Sequence, residues 1–323
     1  MSQGHFIDVL LPKNFGRNER LIKITDLLDW RRIERLLRVV RNSETGRPPY
    51  EALAMFKALL LQQWYGLSDP GLEEALLDRI SFRRFCGFEM DQNNSPDETT
   101  ICRFRNVLKE AGLGKKLFIE INAQLEASGF LLKQGTLIDA TLIKTAVRQP
   151  PNGSTSGDVE SRSPLDADAS WTRKGRNRYL FFGYKLHVGV DQGSGIVRSR
   201  CLTGAKTNES SAADQLVMGD EKAVYADKAY ESKERRSGLK ARGIKDRIQH
   251  RRNKHIKELP YWKTVRNVLI GRVRGGVERV FSEFKGNYKL VKMRYRGLKA
   301  NAFHLDLVIL AYNLNRAFKA MAA

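Results

Sequence analysis

Residues 136–143 read TLIDATLI. The run is short, apolar and rich in β-branched residues, which predicts a buried strand with Asp139 in its middle. An ionised carboxylate inside an apolar strand is costly unless a cation meets it, so this one residue ties fold to chemistry. Further on, Tyr184, Leu186, Val188 and Val190 alternate with Lys185, His187 and Gly189, the period of a half-buried strand. The turn residues QGSG at 192–195 return the chain into IVRSRCLT at 196–203, which predicts a hairpin. A helix near 209–218 then leads into KAVYAD at 222–227, a fourth strand. Helices are expected at about 272–285 and 301–320. This order predicts an α/β domain, a mixed sheet covered by helices.

The chain before this strand reads as helical. Leu53, Phe56, Leu60 and Trp64 recur every three or four residues, and Gly66 closes that helix. Asp69 fits an N-cap with Pro70 behind it. SPDE at 95–98 fits a capping box opened by Ser95, and its helix, carrying Ile101, Phe104 and Leu108 inward, runs to Gly112. Another helix spans about 114–128. The expected organisation is an all-α domain over 1–130 and an α/β domain over 131–323. The latter carries a Pro-, Gly-, Ser- and Asp-rich loop insertion at about 148–178.

The 323 residues hold 57 Lys plus Arg against 36 Asp plus Glu, a net charge of +21, which points to a polyanionic partner. Hydrophobic residues at 41% exclude wholesale disorder. Three cysteines without close spacing give neither a disulfide framework nor a CxxC metal site. No apolar run is long enough to span a membrane, and the N-terminus lacks a secretory pattern. A cytoplasmic, nucleoid-associated protein is expected.

Asp139, Asp227 at the end of the KAVYAD strand, and Glu278 in RVRGGVERVFSEFK sit on separate elements that an α/β sheet can gather at strand ends. Three hard oxygen donors suit Mg²⁺ or Mn²⁺. Two such ions, about 3.5–4 Å apart, clamp the oxygens of a phosphoryl transfer. With a polyanionic partner, this set predicts metal-dependent cutting or joining of nucleic acid. Other roles stay open for each acid: pairing with a Lys or Arg for Asp139, a turn or cap for Asp227, and an i,i+4 pair with Arg274 for Glu278.

LIDATLI around Asp139, GYKLHVGVD at 183–191, YADKAYES around Asp227 and RVRGGVERVFSEFK around Glu278 together resemble the DDE transposases of bacterial insertion sequences, closest to insertion-sequence family 5. The resemblance runs from about Arg47 to the last helix. That family's terminal signature spaces a Tyr, an Arg, the catalytic Glu and a Lys. Arg274, Glu278 and Lys285 match it, and Gly271 stands at the Tyr position. The resemblance implies a ribonuclease-H-like core with Asp139, Asp227 and Glu278 as catalytic metal ligands, two Mg²⁺ or Mn²⁺ ions, and strand cleavage followed by 3′-hydroxyl attack on target DNA. It also implies a homodimer working on double-stranded DNA, both terminal inverted repeats and target.

Arg274 and Lys285 flank Glu278 and are expected to hold the DNA backbone near the scissile phosphate. Thr99, Thr100 and Arg103 project from the polar side of the helix after Ser95, where they reach DNA or simply cover a bundle helix. Residues 233–257 hold eleven Lys or Arg and two acids, a solvated face or a phosphate track, with Arg251, Arg252 and Lys254 its leading members. His187 reads as a satisfied strand residue or a contact behind the metal ligands. Asp191 reads as a turn residue and Glu283 as a rival to Glu278. Asp166 and Asp168 read as turn caps, and Trp171 as a DNA wedge. The competing functions are a metal nuclease without strand transfer and an inactive DNA-binding regulator derived from a transposase.

Overall fold

Helices build the first part of the chain and a six-stranded sheet the second. The computed structural model describes residues 16–40, 49–88, 95–148, 165–174, 179–252 and 258–322. Two compact units partition it, one of residues 1–128 with 305–323, the other of 129–304.

The helical unit contains α1 (Glu19–Leu27), α2 (Trp30–Leu37), α3 (Ala52–Tyr65), α4 (Asp69–Asp78), α5 (Ile80–Cys86), α6 (Glu98–Glu110) and α7 (Leu113–Ala127). Leu59, Leu60 and Leu61 are consecutive and all fully buried, so α3 is enclosed on every side. Gly66 ends it in the left-handed conformation, φ 62°. Two caps differ from the sequence reading. Ser68, not Asp69, caps α4, because its hydroxyl is the group that accepts from Gly71 N. Asp69 turns inward instead and takes Arg105 and Gln62. Asp97, not Ser95, caps α6, accepting from Thr100 N at 2.6 Å. The Ser95 carbonyl is engaged by the Tyr50 hydroxyl.

The sheet unit contains β1 (Thr136–Lys144), β2 (Ser170–Lys174), β3 (Tyr179–Asp191), β4 (Val197–Gly204), α8 (Glu209–Ala213), a 3₁₀ turn (Asp214–Leu216), β5 (Ala223–Ala226), a second 3₁₀ turn (Lys228–Tyr230), α9 (Lys233–Ala241), β6 (Lys245–Ile248), α10 (Tyr261–Arg274) and α11 (Gly276–Gly286). A last helix, α12 (Leu298–Met321), starts here, and its residues from 305 belong to the helical unit. The strand order is β2-β3-β1-β5-β6, with β4 also on β3. β3 runs antiparallel to β1, β2 and β4, whereas β5 is parallel to β1 and β6 to β5. Gly183 lies where β1 and β2 flank β3, and a Cβ there would stand 2.3 Å from the Ile143 carbonyl oxygen, so only glycine fits. The sheet is therefore mixed and flanked by helices, as expected.

Three sequence expectations change. The helix at 272–285 is two helices, because the Gly275–Gly276 pair breaks the run between Arg274 and Val277. Within the loop insertion, 170–174 forms a strand against the end of β3, and 149–164 lies outside the described residues. The basic run at 233–257 folds into α9 and β6, with Lys254 outside the described residues. Among the described residues, no helix is long and apolar enough to cross a membrane.

Candidate active site

Parallel pairing sets the site. Ile138 pairs with Ala226, so Asp139 and Asp227 are the next residues along two adjacent strands. Strands lie about 4.8 Å apart, which brings the two carboxylates into one neighbourhood. Asp139 Oδ1 accepts from Ala140 N at 2.9 Å, and Oδ2 accepts from Arg274 Nη1 at 2.5 Å. Its side chain is only 19% exposed. Burial pushes its pKa up to about 6 from 3.8, while Arg274 and the Ala140 amide pull it down, and Glu209 and Asp227 push it further up. Asp227 follows β5 and caps the turn at 228–230, accepting from Lys228 N at 2.5 Å.

Arg274 thus pairs with Asp139 and not with Glu278 four residues on. The glycine break puts the two on different helices, so the expected i,i+4 geometry does not exist. Glu278 lies in the first turn of α11, exposed, between the buried Val277 and Val280. Lys285 lies in the last turn of α11, half-buried. Phe281 and Phe284 are buried, as core residues should be.

Tyr230 is fully buried in the cluster of Ile138, Val224, Ala226 and Leu239. Its hydroxyl makes no hydrogen bond among the described residues. Burial, then the charges of Glu209, Asp139 and Asp227, drive its pKa upward, against the pull of Arg274. Glu209 opens α8, which packs on β1, β3 and the turn at 228–230. Sequence patterning missed both residues, since a Glu after Asn208 reads only as a helix start. It also missed Arg235, read as part of a basic face. Arg235 is buried and bonds Asp214 at 2.8 Å, Ser210 Oγ at 3.0 Å and the Tyr230 carbonyl, pinning the turn that carries Asp227.

Hard carboxylate oxygens at Asp139 and Asp227 suit a divalent cation, which would also relieve the charge that burial strands on Asp139. Among the described residues, no three His, Cys, Asp or Glu side chains stand together as a metal site. The strand register therefore brings Asp139 and Asp227 together, and α11, with Glu278 in its first turn, packs on β1.

Beside Lys228, a groove of about 730 Å³ is lined by Gln249, Arg251, Arg252, Asn267 and Gly271. Two of the expected phosphate-binding residues, Arg251 and Arg252, are exposed there, next in space to the turn after Asp227. Thr99, Thr100 and Arg103 lie on α6 in the helical unit. The Thr99 hydroxyl donates to Asp97 Oδ1 at 2.9 Å, and Arg103 is exposed. The amide of Thr100 holds the Asp97 carboxyl below its usual range.

His187 is buried, 3.1 Å from Thr203 Oγ1, with its pKa lowered by burial to about 4. Asp191 accepts from Leu132 N, Lys133 N and Ser194 Oγ, a turn role. Asp166 and Asp168 receive Gly297 N and Leu298 N, at the start of α12. Trp171 sits in β2, half-buried, with its ring 5.0 Å from that of Phe182.

The sequence profile described as "Transposase DDE domain" matches residues 131–314. One described as "Transposase domain (DUF772)" matches residues 9–107. A solved structure described as a cryo-EM structure of piggyBac transposase synaptic complex with hairpin DNA is similar at 11% identity and TM-score 0.47, covering 96% of this chain and 77% of that one.

Proposed function

The chain belongs to the transposase DDE domain family and is a DNA transposase, and we propose that Asp139, Asp227 and Glu278 are its catalytic carboxylates. The observation that carries this reading is the side-by-side placement of Asp139 and Asp227 on paired parallel strands, one of them buried at a pKa of about 6. Family membership implies dependence on a divalent metal ion. We assign Mg²⁺ or Mn²⁺, as a pair of ions, held by the two aspartates with Glu278 joining from α11. Bound there, divalent ions would supply the positive charge that phosphoryl transfer on DNA needs. Asp139 becomes available to them when Arg274 turns to a DNA phosphate, for which its planar fork is suited. Lys285 adds a point charge further along α11. Arg251 and Arg252 track the backbone through the groove beside Lys228, and Lys254 extends that track. Thr99, Thr100 and Arg103 on α6 read the transposon end, in keeping with a helical end-binding domain over 1–130 and a catalytic domain over 131–323. The sheet order, with one antiparallel strand between β4 and β1 and parallel strands beyond, supports a ribonuclease-H-like core. The terminal Arg274, Glu278 and Lys285 spacing supports a place in insertion-sequence family 5. A transposase has to bring two transposon ends together, which supports a homodimer.

Cleavage of a DNA duplex carrying a short inverted repeat, sought in the DNA beside the gene, tests this. Wild type is expected to nick it with Mg²⁺, to be silenced by chelator, and to join the released 3′ end to a second duplex. Asp139→Asn, Asp227→Asn and Glu278→Gln are expected to bind the duplex and not cut it. Nicking without joining makes the protein a nuclease, and binding without metal-dependent nicking makes it a regulator.

A further inference from the structure

The Tyr230 hydroxyl is a buried donor without a hydrogen-bond partner among the described residues, on a turn that follows Asp227 and against which the helix opened by Glu209 packs. Leaving such a group unpaired is unfavourable, so an acceptor is expected to reach it in the working state. The acids differ in what they have to offer. Asp139 has Oδ1 on the Ala140 amide and Oδ2 on Arg274. Asp227 has Oδ1 on the Lys228 amide. Among the described residues, Glu209 has only a loose ion pair, 3.6 Å, with Lys185 Nζ, which itself donates to the Thr207 carbonyl at 2.8 Å. Glu209 also lies on α8, which packs directly on β1 and on the turn containing Tyr230.

We propose that Glu209 is a further positioning residue of the catalytic centre, held beside Asp139 and Asp227 by a hydrogen bond from Tyr230. This rests on the reading of Asp139 and Asp227 as metal-binding carboxylates. Glu209 enters from α8, which packs on β1 and β3. Its charge deepens the negative potential that draws the divalent cation. Tyr230 acts through Glu209, and Arg235, which grips both Ser210 and the Tyr230 carbonyl, keeps the two elements in register.

The test is Mn²⁺ binding to the full chain without DNA, followed by electron paramagnetic resonance of the free ion. Glu209→Gln is expected to weaken binding about tenfold, the range for partners that orient metal ligands. Tyr230→Phe is expected to weaken it by a smaller factor. The double variant is expected to be no weaker than Glu209→Gln alone, because the hydroxyl works through the carboxylate. A merely structural tyrosine would shift the melting temperature and leave Mn²⁺ affinity alone. Should Glu209→Gln not fold, Glu209→Asp, which keeps the charge but withdraws it by one methylene, is expected to bind Mn²⁺ more weakly than wild type. Wild-type affinity in the folded Glu209 variant, or effects of the two positions that multiply, overturns the inference. Asp139→Asn separates the two levels. If it weakens binding while the Glu209 variant does not, only this inference falls. If Asp139→Asn itself binds as wild type, the reading of the centre falls with it.

Discussion

Asp139→Asn should stabilise the protein while destroying its activity, and the size of the gain follows from the burial of this carboxylate. The pKa of Asp139 is about 6 in the folded protein against an ordinary 3.8. At about 1.4 kcal/mol for each pH unit, the ionised form costs the fold about 3 kcal/mol. That figure already contains the help of Arg274 and the Ala140 amide. The folded value lies above the unfolded one, so the associated stability is fully present below about pH 3.8 and is lost as pH rises through about 6. Asparagine imitates the neutral carboxyl at every pH. Urea unfolding of the two proteins from pH 3.5 to 8, monitored through the sheet unit, is the assay. The variant is expected to match wild type near pH 3.5 and to exceed it by about 3 kcal/mol at pH 7, with the rise centred between those values. A difference independent of pH, or a wild type more stable at pH 7, would refute the argument. The same variant is expected to bind transposon-end DNA and leave it uncut, the trade of stability for function common at active sites.

In the helical unit, Asp69→Ala leaves Arg105, 5% exposed, without its carboxylate and is expected to destabilise by about 3 kcal/mol in urea melts. Gly183→Ala places a methyl against the Ile143 carbonyl where β1, β2 and β3 meet, and a loss of about 3 kcal/mol or failure to accumulate soluble protein is expected. Arg251→Ala and Arg252→Ala should each reduce the salt dependence of DNA binding by about one charge, read as the slope of log affinity against log salt. Trp171→Ala should lower the melting temperature through lost packing on Phe182, with the cleavage pattern on DNA unaltered.

Periodicity made the sheet legible. TLIDATLI, the alternating 184–190 stretch and KAVYAD are β1, β3 and β5, and their order placed Asp139 and Asp227 together. Patterning works there because short apolar, β-branched runs mark strands, although the 184–190 stretch, expected to be half-buried, is covered on both faces with only Lys185 partly exposed. It failed where side chains act against type. Arg235 and Arg236 sit in a run that reads as solvated, yet each is tied to carboxylates or carbonyls. The Gly275–Gly276 break was hidden because apolar residues on both sides keep a helical spacing across it. The caps slipped by one and two residues since SDP at 68–70 and SPD at 95–97 each offer two capping side chains, and only tertiary partners decide between them. Glu209 and Tyr230 carry no local signal at all. Their relation to Asp139 exists only through the packing of α8 on β1.

The most direct test of the central claim is where iron cuts the protein. Fe²⁺ bound in place of Mg²⁺, with ascorbate and peroxide, generates radicals that break the backbone beside its ligands, and peptide mapping locates the breaks. Convergence of the three carboxylates in the presence of transposon-end DNA predicts breaks near 139, 227 and 278 together, all suppressed by excess Mg²⁺. Breaks near 139 and 227 with none near 278 would contradict the assignment of Glu278 as the third carboxylate.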